Sequence, residues 1–423
     1  MFKKGSELNV ITLEDVSKKI TLGHTFRRQY VNEDEGVMLL NSKNVKESMI
    51  NYNDVVYISG VDHDRLNKSK LKPKDLLLTI TGQFSGVSLV VPKDVLECNI
   101  SANIARIIMK EEYNPYYFAT FFNSKYGILF YQKWAVFSTY RHIGLTDVRL
   151  IKIPVPTKNE QERIGSFAKQ AEDIRVESNK LLEEAKDSFL SILDIKINDI
   201  KKPLSFRVNN EDITDNLNPM FYFPYYTEVI KRLRNKHKTL KLNSFSKINR
   251  GVEVGSKNYD DVGNVRFIRT KDLINYETNP YPDFYIEEAI YETIKEKPKE
   301  KTILLTKDGK IGYIALTLKD EKIIPASGIA IINIKENLSP EYVFIALTTI
   351  FSLAQLYRKV VIGTTIPHLS TDDIKEIDIP YIEDKKIEEI ESKVKKAFEM
   401  KLKARTLVEE GKKEVEKLIE CII

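Results

Sequence analysis

Two short polar loops, each found twice in the sequence, carry side chains suited to binding another molecule. Residues 81–86 read Thr-Gly-Gln-Phe-Ser-Gly, and their counterpart, residues 307–312, reads Lys-Asp-Gly-Lys-Ile-Gly. Their glycines allow backbone amides to approach a partner closely. The candidate contact residues in these loops are Gln83, Ser85, Lys307 and Lys310. A plain β-hairpin turn is the alternative interpretation of each loop.

A second pair of polar segments ends in a histidine in both copies. Residues 138–142 read Ser-Thr-Tyr-Arg-His, and residues 363–368 read Gly-Thr-Thr-Ile-Pro-His. Small hydroxyls, arginine and histidine can reach phosphates or base edges, and arginine prefers guanine. The candidates are therefore Thr139, Tyr140, Arg141, His142, Thr364, Thr365 and His368. Alternatively, each histidine only caps the helix that follows.

Basic residues near the start of each half complete the set of candidate nucleic-acid contacts. They are Arg27, Arg28 and Lys43 in the first half, and Lys257 and Lys271 in the second. Lys43 and Lys271 end two segments that match each other, residues 39–43 and 267–271. Because most surface cations are simply solvated, these residues are the weakest candidates.

No catalytic motif accompanies the polar loops. The sequence has no Asn/Asp-Pro-Pro-aromatic loop of a DNA amino-methyltransferase, no G-x-x-x-x-G-K-[ST] loop for ATP and no G-x-S-x-G elbow. Its five histidines lack metal-ligand spacing. Asp283 with Glu391 and Lys393 could imitate a nuclease motif, but the last two fall on the exposed face of a predicted helix. We therefore expect a non-catalytic reader or adaptor with no metal and no cofactor of its own.

Composition indicates a globular protein but does not decide its partner. Of 423 residues, 42% are hydrophobic and 30% are charged, with a net charge of +5, which is compatible with nucleic acid without establishing it. Cys98 and Cys421 lie too far apart in sequence to suggest a disulfide framework. Acidic residues follow Met1 where a signal peptide needs an apolar core, and no run approaches the roughly 18 apolar residues of a membrane span. We expect a soluble, cytoplasmic protein with no membrane partner.

The chain contains an internal repeat. His142 and His368 lie 226 residues apart, and each is followed by an Ile-x-Ile-Pro segment, at 151–154 and 377–380. Earlier matched segments keep the same order with an offset that drifts by only a few residues. This pattern indicates tandem duplication of one domain and one helix. Within each half, short β-branched runs predict strands, and residues 116–130 and 341–357 each predict one helix.

Two long amphipathic segments follow the two copies. Residues 157–202 and 383–423 carry apolar residues at alternating spacings of three and four, which predicts long helices that pair with each other. The expected contacts between them are made by Ile164, Ala171, Leu181, Ala185, Ile387, Val394, Val408 and Val415. Because the second helix begins where the second globular segment ends, the pair should be antiparallel. The predicted fold is α+β, with two similar globular domains, 1–156 and 203–382, separated by a long antiparallel two-helix coiled coil with a pseudo-twofold repeat.

These features together resemble the specificity subunit of type I restriction-modification systems. The resemblance rests on the strand-Thr-x-x-Gly segments 78–82 and 305–309, and on the passage from Ile-Pro-Val-Pro at 153–156 to Asn-Glu-Gln-Glu-Arg-Ile at 159–164. It spans nearly the whole chain. The second helix departs from the pattern in two ways. It opens with Asp384-Lys385-Lys386 in place of Glu-Gln, and it carries Gly411 among its inward-facing positions, which lowers helix stability by roughly 1 kcal/mol.

The resemblance implies a function. Each globular domain would be a target-recognition domain that reads one half of a bipartite site in double-stranded DNA, and the helix pair would set the spacing. The implied partners are two copies of an adenine methyltransferase (M) subunit and restriction (R) subunits. S-adenosylmethionine, ATP and magnesium would belong to those partners. The alternative is a protein-protein adaptor whose coiled coil only spaces two binding domains.

Overall fold

The structure is a computed structural model that describes residues 9–23, 28–82, 85–95, 97–134, 136–137, 141–335, 338–361, 366–382 and 385–421. The chain divides into two compact units. Unit 1 comprises Met1–Val176 with Lys403–Ile423, and unit 2 comprises Glu177–Leu402. In the described part of the chain no helix is long and apolar enough to cross a membrane.

Unit 1 combines helices with mostly antiparallel strands. Its strands are β1 (Asn9–Thr12), β2 (Ser17–Leu22), β3 (Tyr30–Val31), β4 (Val37–Leu40), β5 (Val45–Lys46), β6 (Met49–Ile50), β7 (Val56–Ile58), β8 (Leu76–Thr79), β9 (Ser88–Val90), β10 (Cys98–Ile100), β11 (Ile104–Met109), β12 (Val136–Phe137), β13 (Arg141–His142) and β14 (Lys152–Val155). Its helices are α1 (Leu13–Val16), α2 (Gly60–Arg65), α3 (Pro115–Asn123), α4 (Lys125–Trp134) and α5 (Leu145–Leu150), with the first part of α6 (Lys158–Leu193) and the last part of α13 (Lys386–Glu420).

Unit 2 holds the rest of the two long helices and a second set of elements. Its strands are β15 (Thr239–Lys241), β16 (Ser246–Arg250), β17 (Val265–Ile268), β18 (Leu273–Ile274), β19 (Glu277–Thr278), β20 (Tyr285–Ile286), β21 (Ile303–Thr306), β22 (Ile314–Leu316), β23 (Ile323–Pro325), β24 (Ile329–Ile334) and β25 (Asp378–Pro380). Its helices are α7 (Pro224–Lys236), α8 (Leu242–Phe245), α9 (Glu288–Thr293), α10 (Pro340–Thr348), α11 (Ile350–Tyr357) and α12 (Thr371–Lys375).

The sheets of the two units have matching strand orders. An antiparallel sheet of order β2-β11-β8-β9 in unit 1 corresponds to β16-β24-β21-β22 in unit 2. A second sheet, β10-β4-β7-β3, corresponds to β23-β17-β20, and each contains one parallel pair, β10 with β4 and β23 with β17. The tyrosine hydroxyls of Tyr117 and Tyr342 each donate to the final proline carbonyl of the Ile-x-Ile-Pro segments, both at 2.6 Å. The internal repeat of the sequence is therefore a repeat of the fold.

The helices after β11 and β24 differ from the prediction. In place of one helix over 116–130 and one over 341–357, each unit has two, separated by a single extended residue, Ser124 or Thr349. The hydroxyl of each residue donates to the carbonyl three residues earlier, at 2.7 Å in both cases, which satisfies a carbonyl at the end of the first helix. The first helix of each pair, α3 or α10, packs on the antiparallel sheet and buries its aromatic residues.

The first long helix begins as its sequence indicates and ends earlier. Thr157 and Glu160, which have the spacing of a capping box, form one, with the Glu160 carboxylate accepting from the Thr157 amide at 3.2 Å. The helix ends at Leu193 and not at Lys202, because Asp194 adopts a left-handed conformation with φ of +45°. The Leu193 carbonyl is hydrogen-bonded to the His237 ring, and Lys236 bonds the Asp194 carboxylate.

Within each unit the two long helices pack antiparallel. In unit 1, Arg163 pairs with Glu414, and a Cβ at Gly411 would lie 3.1 Å from Phe167 Cβ, so the glycine permits a close helix contact. In unit 2, the Ser178 hydroxyl donates to the Ala397 carbonyl at 2.9 Å. Of the expected contact residues, Ile164, Ala171, Leu181, Ala185, Val394, Val408 and Val415 are buried and Ile387 is half-buried.

Candidate nucleic-acid interface

The two polar loops of unit 1 lie against each other. Thr81 Oγ1 and His142 Nδ1 are hydrogen-bonded at 2.7 Å, and the two residues also form a backbone bridge. The next residue, Ile143, donates its amide to the Ile80 carbonyl at 3.0 Å. The end of strand β8 therefore holds the histidine segment in place, although the two are far apart in sequence.

Unit 2 repeats this arrangement with different chemistry. Asp308 takes the place of Thr81, and its carboxylate is hydrogen-bonded to Nδ1 of His368. The Gly309 amide donates to the Pro367 carbonyl at 2.9 Å, and the Leu369 amide donates to the Lys307 carbonyl at 2.8 Å. The sequence repeat thus brings one polar loop and one histidine together in both units, with a hydroxyl as the histidine's partner in one and a carboxylate in the other.

A third segment, a short 3₁₀ turn, joins each cluster. The turn Ser42–Asn44 carries Lys43, and a Cβ at Gly82 would lie 4.0 Å from Ser42 Oγ. The corresponding turn Thr270–Asp272 carries Lys271, and a Cβ at Gly328 would lie 2.9 Å from Thr270 Cγ2 and 3.4 Å from Asp308 Cβ. Each cluster therefore gathers the 3₁₀ turn, the glycine loop and the histidine.

A side chain inside each turn fixes its shape. The Asn41 amide donates to Asn44 Oδ1 at 3.0 Å, and the Arg269 amide donates to Asp272 Oδ2 at 3.1 Å. Burial raises the pKa of Asp272, although this amide and the Asn279 side chain both donate to its carboxylate. The lysine at the tip of each turn is exposed.

The glycine loops need their glycines. Gly82 and Gly86 have φ of +98° and +97°, and Gly309 and Gly312 have φ of +72° and +90°, which is the region that side chains disfavour. Each loop connects two paired antiparallel strands, β8 with β9 and β21 with β22, so both are hairpin connections as the alternative interpretation holds. Each loop can be both a hairpin turn and part of a binding site, because the histidine of its cluster lies against the turn.

The remaining candidates vary in accessibility. Lys307 is buried, with 2% of its side chain exposed, and its ammonium donates to both Asp308 oxygens at 3.0 and 3.1 Å. It is therefore not an exposed contact residue and instead positions Asp308. Lys310 and Lys257 are exposed, Lys257 in the turn Ser256–Asn258. Lys271 is 40% exposed, and its ammonium pairs with Asp283.

Two further candidates are only partly exposed. Ser85 Oγ and Arg28 Nε are buried and have no hydrogen-bond partner among the described residues. The candidates Arg27, Gln83, Thr139, Tyr140, Thr364 and Thr365, and the side chain of Arg141, lie outside the described residues.

Sequence reasoning did not select Thr81 and Asp308 as site residues. They occupy the same position in the two copies of the loop, and each bonds the histidine that the sequence did single out. The matched position in the repeat was the available signal. In the parts of the chain that the structure covers, no group of three or more His, Cys, Asp or Glu side chains is arranged to hold a metal ion.

Several solved structures match the chain at low sequence identity and low TM-score. The S subunit of a type I restriction-modification system from M. genitalium is 13% identical, with 99% of this chain and 94% of that chain covered and a TM-score of 0.34. The HsdS subunit from Thermoanaerobacter tengcongensis is 14% identical, with 100% and 96% covered and a TM-score of 0.30. A chain from a study of assembly and conformational transition of the type I R-M system is also 14% identical, with 100% and 98% covered and a TM-score of 0.31.

The family comparison covers most of the sequence. None of the curated protein sequences compared with the chain matches it significantly. The family model for the type I restriction modification DNA specificity domain matches twice, over residues 5–186 and 235–408. Two copies of the domain therefore account for most of the chain, which belongs to the family of type I restriction-modification DNA specificity proteins.

Proposed function

We propose that this chain is the DNA-recognition subunit of a type I restriction-modification complex, and that its two units each read one half of a bipartite DNA site. The observation that carries the proposal is the repeated cluster of a 3₁₀ turn, a glycine loop and a histidine, in a chain with two DNA specificity domains. DNA recognition is implied by the family. The division into two half-sites is our inference from the duplication of the cluster.

The two clusters differ in what they offer to a base edge. In unit 2, the Asp308 carboxylate fixes a proton on Nδ1 of His368, which leaves Nε2 of this 56% exposed ring to face a partner. In unit 1, the Thr81 hydroxyl can donate to or accept from His142, so either tautomer is compatible with the bond. Different donors and acceptors at matched positions favour unlike half-sites.

The proposed roles follow from this division. Residues 1–156 and 203–382 would be the recognition domains, and the helical segments 157–202 and 383–423 would act as the spacer. The charged flanks of α6 and α13 would contact two methyltransferase subunits, and restriction subunits would join that complex. The specificity-subunit family is generally non-catalytic, and S-adenosylmethionine, ATP and magnesium would be bound by the partners.

A salt titration of DNA binding tests the proposal. The full chain, assembled with its methyltransferase, should bind its cognate DNA with an affinity that falls steeply as salt rises, because phosphate contacts release counterions. A His142→Ala/His368→Ala variant should lose affinity for the cognate site while keeping most of its non-specific binding. An Asn210→Ala change, at an exposed position outside both histidine clusters and both long helices, is the control.

Two outcomes would contradict the proposal. A flat salt response would favour a protein-protein adaptor, and equal loss of cognate and non-specific binding in the histidine variant would remove the clusters from sequence recognition. The spacer role has a separate test, since inserting seven residues into α6 should change the gap between half-sites without changing either half. Footprinting or methylation mapping measures that gap.

A further inference from the structure

Unit 1 contains a basic cleft that is not part of the histidine cluster. The cleft, of about 470 Å³, is lined by strand β2, by Lys68 and by Leu145 and Arg149 of α5. Its charged lining residues are Lys18, Lys19, Lys68, Arg149 and Glu14. Four cations and one carboxylate give the lining a net charge of +3, so the cleft suits an anionic ligand with more than one charge.

A β-bulge doubles the lysines on the strand. In the pairing of β2 with β11, Ile108 lies opposite Lys19 and Met109 lies opposite Ser17, so Lys18 is the extra residue. Both lysines are exposed. The matching pair in unit 2, β16 with β24, is regular and presents one lysine, Lys247.

The cations of the cleft are only weakly neutralised. Lys19 and Lys68 have no ion-pair partner among the described residues, and both are exposed. Lys18 pairs with Glu111, and the Arg149 guanidinium lies 3.9 Å from the Glu14 carboxylate, but all four of these side chains are at least 41% exposed. Exposed ion pairs of this kind contribute little and exchange readily for another anion.

The matching strand of unit 2 carries a single lysine, and that lysine has an ion-pair partner. Lys247 bonds the Glu296 carboxylate at 2.5 Å, and Asn249 bonds its second oxygen at 3.2 Å. Lys375 in α12, which corresponds to Arg149 in α5, bonds Asp372 at 2.8 Å. Lysines commonly protect the edge of a sheet, and Lys247 fits that role. Edge protection does not explain unit 1, where a bulge adds a second lysine and three segments form a cleft. Two of the cleft's lysines, Lys19 and Lys68, have no ion-pair partner among the described residues.

The cleft adjoins the histidine cluster through α5. This helix begins at Leu145, three residues after His142, and a helix of six residues is only about 9 Å long. A duplex held at the cluster would therefore run its phosphates close to Lys19, Lys68 and Arg149. The successive phosphates of a strand match the several separate cations better than a compact anion would.

We propose that this cleft binds the phosphate backbone of double-stranded DNA beside the half-site that unit 1 reads, and that unit 2 has no equivalent contact. The inference rests on the proposed function and adds that only unit 1 makes this phosphate contact. Phosphate contacts position a protein on DNA without reading sequence. The cleft therefore adds affinity and salt dependence on one side of the site only and leaves the recognised sequence unchanged.

The test compares variants of the full chain, each assembled with its methyltransferase. In Lys19→Ala/Lys68→Ala the slope of log affinity against log salt should become shallower by roughly 2, at about 0.9 for each lost contact. At 0.15 M salt the affinity should fall roughly 5-fold for each contact by the same counterion effect. The methylated sequence should not change. Lys19→Arg/Lys68→Arg should keep the slope, and Lys247→Ala in unit 2 should leave it unchanged.

The outcomes separate this inference from the proposed function. If the unaltered complex binds cognate DNA but Lys19→Ala/Lys68→Ala has the same salt slope, the cleft is not a phosphate site and the proposed function stands. If the alanine variant keeps the slope but loses its methyltransferase on a sizing column, the cleft binds an acidic protein surface and the inference fails. If the unaltered complex binds no DNA, both fail. Thermal midpoints of the variants, whose altered side chains are exposed, verify that the fold is retained.

Discussion

The buried Lys401 contributes to the stability of unit 2, and its replacement gives a testable prediction. Lys401 in α13 has only 1% of its side chain exposed, and its ammonium donates to Asn179 Oδ1 at 2.9 Å and to the Asn275 carbonyl at 3.2 Å. The Glu277 carboxylate, fully buried, lies 3.7 Å from the same ammonium. This contact ties the hairpin of β18 and β19, which directly follows the 3₁₀ turn with Lys271, to the long helix.

Replacing Lys401 by methionine should destabilise unit 2 strongly. The change keeps most of the apolar stem but removes the ammonium that lies 3.7 Å from the buried Glu277 carboxylate, and removing one member of a buried charge pair costs about 3–5 kcal/mol. In a unit of this size, each kcal/mol lowers the unfolding midpoint by about 2–4 °C, so the expected fall is roughly 6–20 °C. Differential scanning calorimetry of the full chain measures it.

Two further variants decide whether the charge pair is the cause. Lys401→Met/Glu277→Leu should recover most of the lost stability, because a packed apolar pair often replaces a buried ion pair without loss. Lys396→Met, on an exposed face of the same helix, should change the unfolding free energy by no more than about 0.5 kcal/mol. The reasoning would be refuted if Lys401→Met lowered the unfolding free energy by less than about 1 kcal/mol, or if the double variant were no more stable than Lys401→Met alone.

Two other substitutions test local features. Gly312→Ala would place a side chain at φ of +90° with its Cβ 2.8 Å from Leu353 Cδ2, and should cost about 1–3 kcal/mol by urea unfolding, whereas Gly60→Ala, with open space around it, should be near neutral. Burial raises the pKa of Glu172, although the Tyr116 hydroxyl donates to it, so Glu172→Gln should raise the unfolding free energy at neutral pH.

The sign of the Glu172 effect follows from proton linkage. The pKa of Glu172 is higher in the folded state than its ordinary value of 4.5. Between these two pKa values the folded protein therefore binds a proton that the unfolded chain has released. Stability therefore falls as pH rises from about 4.5 through the raised pKa, and the penalty is complete above it. The advantage of Glu172→Gln should grow with pH between 4 and 8, and a pH-independent difference would contradict this account. For Gly312→Ala, an unchanged urea midpoint would contradict the strain.

Features with local causes were predictable from the sequence. The repeat, the capping box at Thr157 and the strand at Ile329–Ile334 follow from residue types and spacing alone. The end of α6 did not, since it depends on Lys236 and His237, which lie more than forty residues downstream. The breaks at Ser124 and Thr349 were also missed, because apolar spacing continues across both positions.

The sequence also did not predict which charged residues are buried. Lys307 lies in an apparently exposed polar loop, yet the carboxylate of its neighbour Asp308 compensates its ammonium and lets it be buried. Lys401 lies on a charged helix, and its partner Glu277 comes from a distant hairpin. Such pairs depend on tertiary contacts that helical periodicity does not encode. The histidine clusters were half predictable, because the repeat located both loops but not the bond that joins them.

Mapping every methylated position in DNA treated with this chain and the methyltransferase proposed as its partner tests the central claim most directly. The account predicts two specified half-sites separated by an unspecified gap. Thr81→Val/His142→Ala should relax only one half, and Asp308→Asn/His368→Ala should relax only the other. A single contiguous motif, or a change in both halves caused by variants in one unit, would contradict it.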